Sequence, residues 1–169
     1  MASRKLGRPT EQRLALVKNQ VSHLFWYGKI ETTLARAKSV QRVAEKLLTL
    51  AMNSYQDTVN VTKEVKDEKG NVVKQNFVND GTSKLNARRK LMASLYDLQE
   101  QRAPKEKLAD FKARTEGISH PLIEKIFNVY APKYDQRAKE LGQRGGYTRI
   151  IKLGNRNGDD AQVVIIELI

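Results

Sequence analysis

The chain has 169 residues, 40% of them hydrophobic and 30% charged, with 31 Lys and Arg against 19 Asp and Glu, two His and no Cys, for a net charge of +12. That length suits one domain, or one domain with an insertion. The lack of Cys excludes disulfide scaffolds, thiolate zinc sites and thiol nucleophiles. The start, Met1 to Arg8, has no apolar segment of the secretory kind, and no run reaches the ~18 apolar residues of a membrane span, so no membrane partner is expected.

The positive charge is segregated. Residues 1–55 hold 10 basic and 3 acidic residues, 133–158 hold 7 and 2, and 56–84 hold 5 of each. Solubility alone does not require such clustering. Two cationic blocks far apart in sequence predict one positive face for a polyanion, provided the fold brings them together.

In chain order, residues 1–9 read as a basic arm, with Arg4, Lys5 and Arg8 around Gly7 and no apolar periodicity. A helix is predicted from Thr10, with Leu14, Val17, Val21, Leu24 and Phe25 inward and Gly28 as its stop. The β-branched run 29–33 predicts a short strand. Thr33 then caps a second helix, with Leu34, Ala37, Val40, Val43, Ala44, Leu47, Leu48 and Ala51 inward. Its charged residues, Arg36, Lys38, Arg42, Glu45 and Lys46, fall mostly on the other side. Alternation over 58–79 around the turn cluster Asp67–Asn71 predicts a β-hairpin. A third helix is expected over roughly 84–101 with Leu85, Met92, Leu95 and Tyr96 inward, and a short one within 105–115. Pro121 opens another, which Pro132 should interrupt before a polar helix runs on to Leu141. Two strands close the chain, 147–153 and 162–169. The order predicts an α+β domain over 10–169, with helices packed on one face of a small sheet and a hairpin inserted at about 56–84.

Catalytic chemistry finds little support. His23 and His120 are isolated, and no Gly-x4-Gly-Lys-Ser/Thr loop is present. Asp159, Asp160 and Glu167 form a conceivable divalent-ion set, but a solvated turn accounts for them better. The positive signal lies elsewhere. From 141 to 158 there are four basic residues and no acid. Arg144 and Arg149 flank Gly145-Gly146, which either relax a tight turn or let main-chain N–H groups approach a phosphate. Tyr147 is positioned to stack on a base or sugar, and Thr148 to bond a phosphate oxygen. An arm, a strand and loops suit shaped RNA better than a DNA groove.

Four blocks then carry a resemblance. They are Arg4-Lys5-Leu6-Gly7-Arg8; Ile30-Glu31-Thr32-Thr33 with Ala35-Arg36-Ala37-Lys38; Gly145-Gly146-Tyr147-Thr148-Arg149-Ile150-Ile151-Lys152-Leu153-Gly154; and Arg156, Gly158-Asp159 and Ile165-Ile166-Glu167-Leu168. In that order they resemble the bacterial large-subunit ribosomal protein seventeen family. Asn86-Ala87-Arg88-Arg89 resembles a shorter family motif. The resemblance implies a three-stranded mixed sheet, no catalysis and no cofactor. It implies a structural constituent of the large ribosomal subunit in the cytoplasm, on its outer surface near the nascent-chain exit. The partners would be large-subunit ribosomal RNA and neighbouring large-subunit proteins, with no small-molecule substrate. The RNA-binding residues would be Arg4, Lys5, Arg8, Arg36, Lys38, Arg42, Arg144, Tyr147, Thr148, Arg149, Lys152 and Arg156. Either Arg137 or Arg144 would match the family arginine ahead of the Gly-Gly pair. The rival classes are a free basic nucleic-acid-binding regulator, which would not track the large subunit stoichiometrically, and an RNA-processing enzyme, which would need an acid–base pair.

Overall fold

The structure is a computed structural model, and it describes residues 5–66 and 72–169. Helix α1 spans Thr10–Tyr27 and stops where Gly28, at φ 80°, donates its N–H to the Leu24 carbonyl. Strand β1 follows at once, Lys29–Thr33, and then helix α2, Leu34–Met52. Ala37, Val40, Ala44, Leu47, Leu48, Ala51 and Met52 make the buried side of α2, at the helical spacing the sequence shows. On α1, by contrast, Leu14 is 61% exposed, and the core begins only at Val21.

Strands β2, Thr58–Lys66, and β3, Val72–Asp80, form an antiparallel hairpin in its own two-stranded sheet. The expected turn, 67–71, lies outside the described residues. Val59, Val61, Lys63 and Val65 alternate along β2, and Val61 is opposite Phe77. Val59 and Val78 remain 50% and 70% exposed, so the ribbon buries little against the body.

The base of the hairpin is tightly closed. The Gly81 N–H donates to the Asp57 carbonyl at 2.8 Å, and Asp57 Oδ2 accepts from the N–H of Ser83 at 2.8 Å. Asp57 thereby caps helix α3, Thr82–Ser94, from 25 residues before its first residue, doing what a neighbouring Ser or Asp usually does. A Cβ on Gly81 would lie 2.1 Å from Asp57 Oδ1 and would push the cap aside. Replacing Asp57 with Ala is expected to cost about 1 kcal/mol, a fall of roughly 2–4 °C in the thermal midpoint for a domain this size, read by far-UV circular dichroism.

Helix α3 is shorter than expected and turned. Ala87 and Leu91 are buried with Leu95, while Leu85, Met92 and Tyr96 are 38–41% exposed. The chain leaves the helix because buried Ser22 on α1 accepts the Tyr96 N–H at 2.8 Å, a partner invisible to local periodicity. Helix α4, Leu108–Thr115, buries no side chain.

Helix α5 runs over 121–141 through Pro121–Lys125, a π-helical turn at Ile126–Tyr130 and Ala131–Leu141. Pro132 does not interrupt it. A proline ring clashes with the carbonyl four residues back and donates no hydrogen bond. The π turn, in which the Ala131 N–H reaches the Ile126 carbonyl, widens the backbone just ahead of the proline.

Strands β4, Thr148–Asn155, and β5, Gln162–Leu168, complete the second sheet, in the order β1-β5-β4. Both pairings are antiparallel, which corrects the mixed sheet that was expected. β5 enters beside β4 through a tight turn and then runs opposite to β1, so no parallel pair arises. Val164 and Ile166 of β5 join one core cluster with residues of α1, α2 and α5, while Ile151 on the other face is 40% exposed. The fold is thus α+β: five helices, a three-stranded antiparallel sheet and a separate hairpin.

Candidate nucleic-acid interface

A side chain of helix α2 is hydrogen-bonded to the start of strand β4. Glu45 Oε1 accepts from the Thr148 N–H at 3.1 Å and from its hydroxyl at 2.8 Å, across 103 residues of sequence. This contact joins the first cationic block to the second. At 100° per residue, Lys38, Arg42 and Lys46 form one exposed stripe of i,i+4 steps opposite the buried side of α2. Lys38 is seven residues before Glu45 and so lies on the flank that reaches β4. Arg36 lies on the other flank, half-buried. Among the described residues no carboxylate comes within 4.0 Å of Arg36, Lys38, Arg42 or Lys46. Lys46 completes the stripe although it was not among the expected contacts; its spacing from Arg42 was the signal.

The second block divides. Arg144 and Lys152 are exposed and make no ion pair among the described residues. Arg149 donates through Nε (2.9 Å) and Nη2 (2.5 Å) to Glu167 Oε1, its cross-strand neighbour. Arg149 is the exposed member of the pair and Glu167 is half-buried. Arg156 closes the β4–β5 turn with Asp159 through two bonds of 2.6 Å. That guanidinium holds the Asp159 carboxyl down at about 2. Asp160 accepts from the Asn155 side chain. With Asp159 and Glu167 also engaged, the conceivable ion site dissolves into separate pairs, and no metal-binding cluster occurs among the described residues.

Two expected contacts lie inside. Tyr147 is 1% exposed; its ring stands 4.8 Å from Tyr134 and its hydroxyl faces Met52 Sδ at 3.6 Å. No face is left for a base. Thr148 is 6% exposed, with its hydroxyl given to Glu45. Both are buried in this structure, and the basic residues around them hide from the sequence how deeply the chain enters the core at this point. Burial also pushes the Tyr134 phenol up to about 12, against the pull of Arg137.

At the N-terminus, Lys5 and Arg8 are exposed in a turn closed by the Arg8 N–H and the Lys5 carbonyl at 3.1 Å. Arg4 lies outside the described residues. His23 stacks on Tyr27 at 5.7 Å, and His120 Nδ1 is 3.2 Å from Asp97 Oδ2, so neither forms part of an acid–base pair with the other.

The family model for ribosomal protein L17 matches residues 16–169. The chain belongs to the ribosomal protein L17 family. Curated relatives named large ribosomal subunit protein bL17 agree along their whole length. The one from Acetivibrio thermocellus is 37% identical, with 99% of each chain covered. The one from Lachnospira eligens is 39% identical, with 98% of each covered. A third, from Thermoanaerobacter sp. strain X514, is 34% identical over the full length of both. Membership of the L17 family makes this a structural protein rather than an enzyme.

Proposed function

We propose that this protein is a structural component of the large ribosomal subunit, in the cytoplasm, and that it binds the subunit's ribosomal RNA by neutralising phosphates. The observation that carries this reading is the stripe Lys38, Arg42 and Lys46 on α2, without an ion pair among the described residues and joined to β4 by Glu45 and Thr148. Arg36, Arg144 and Lys152 extend the cationic surface, Arg149 offers a separate contact on the sheet face turned away from the core, and Lys5 and Arg8, exposed in their turn, add an N-terminal contact together with Arg4. Arg156 contributes its field while its fork stays with Asp159. The hairpin segment, with as many acids as bases, is left to neighbouring large-subunit proteins. A place on the outer surface near the nascent-chain exit is supported by family membership.

Purified protein titrated onto large-subunit ribosomal RNA is expected to bind with an affinity that falls steeply with salt, the log–log slope scaling with the phosphates contacted. In cell extracts the protein is expected to co-sediment with large subunits at stoichiometric levels. A protein that binds weakly at every salt concentration and sediments free would be a regulator or something else. A cross-linking map of intact subunits checks the position near the exit.

A further inference from the structure

The turn that precedes β4 holds more than side-chain cations. Gly142, Gly145 and Gly146 sit at φ 64°, 97° and 59°, the left-handed region that strains any other residue. A Cβ at each would meet nothing within 4 Å, so these glycines serve backbone conformation and leave the loop open to approach from outside. Its carbonyls are turned inward onto a cation. Arg137 Nη2 donates to the Gly145 carbonyl at 2.6 Å, and Nη1 and Nη2 reach the Gly146 carbonyl at 3.4 Å. The same guanidinium lies 5.2 Å from the Tyr134 ring and 5.4 Å from the Tyr147 ring, both buried, which fixes its plane.

With the Gly145 and Gly146 carbonyls engaged by Arg137, the glycine pair presents donors outward. The N–H groups of Gln143, Arg144, Gly145 and Gly146 have no acceptor among the described residues. Successive N–H groups in a glycine turn make an anion-binding concavity. No carboxylate lies within 4.0 Å of Arg137 or Arg144 among the described residues. Asp135, whose carboxyl feels the charge of Arg144, is occupied by Lys139 at 2.7 Å and by the Tyr55 hydroxyl at 2.7 Å.

We propose that the 143–146 turn is a main-chain site for one RNA phosphate, with Arg144 as its side-chain contact and Arg137 as the positioning residue that turns its carbonyls away. The proposal rests on the RNA-binding reading above and names one place on that surface. Arg137 does not itself touch the phosphate. Its fork is what matters, since a lysine keeps the charge but cannot hold two carbonyls while lying flat between two rings.

The test uses the full chain and large-subunit ribosomal RNA. Arg137→Lys is expected to weaken binding about tenfold and to lower the salt slope by about one, although no charge is removed. Arg144→Ala is expected to do the same by removing a contact. In the unaltered protein, amide hydrogen exchange resolved at 143–146 is expected to slow on RNA binding, a readout that does not depend on how any variant folds. If the protein binds RNA and those amides exchange unchanged, or if a folded Arg137→Lys binds as the unaltered protein does, the turn is not a phosphate site and the wider RNA-binding reading stands. If the unaltered protein fails to bind the RNA, both fall.

Discussion

Replacing Tyr147 with Ala is expected to destabilise the protein by about 3–5 kcal/mol, the range for emptying a large aromatic site in a packed core. For a domain of this size that lowers the thermal midpoint by roughly 6–20 °C. The ring is 1% exposed and packs against Tyr134, and the Tyr147 carbonyl accepts both the Ile169 N–H at 3.0 Å and the Tyr134 hydroxyl at 3.4 Å. Alanine keeps that carbonyl, so the loss comes from the emptied space against Tyr134 of α5. Tyr147→Phe removes only a weak 3.6 Å contact to Met52 Sδ and is expected to leave the midpoint nearly unchanged. A surface tyrosine that stacks on RNA would behave in the opposite way: both variants would melt like the parent and only the alanine would bind RNA poorly. Thermal melts of the two variants separate these cases without RNA present.

The second large effect is on binding. Changing Lys38, Arg42 and Lys46 together to Ala is expected to lower the salt slope of RNA affinity by about two to three, and the affinity at moderate salt by roughly ten- to a hundredfold. These three project from the exposed side of α2 and make no ion pair among the described residues, so the melt should scarcely move. Arg36→Ala alone, on the other flank of the helix, is expected to change the slope by one at most. A triple variant that binds with the parent's slope would remove α2 from the interface.

Much of this fold could be read from residue order, and the reasons differ by element. The α2 stripe from Leu34 to Ala51 is a pattern repeated over five turns, and both hairpin strands carry alternation with turn residues between them. Strand direction is not written in any one segment. The antiparallel order β1-β5-β4 depends on where α5 returns the chain. The end of α3 is not legible locally because its decisive partner, Ser22, lies 74 residues away from Tyr96. Pro132 looked like a break because a one-dimensional pattern does not show a π turn.

At the interface, sequence found the charged types but not their geometry. Tyr147 and Thr148 are adjacent and both buried because Tyr147 precedes β4 and escapes its alternation; the first faces α5 and the second is satisfied by Glu45. Lys46 was within reach of helical spacing. The role of Arg137 was not, since its partners are main-chain carbonyls that every residue possesses.

The hydrogen bond between Gly81 and the Asp57 carbonyl brings both ends of the ribbon to one point on the body. Whatever lies beyond that clasp adds length without prying the helices apart, much as a drawer slides from a fixed frame. The length of the projection is therefore uncoupled from the packing of the helices. An affinity label or fluorescent peptide is best spliced beyond the clasp, leaving the α3 cap, the cationic stripe and the core untouched.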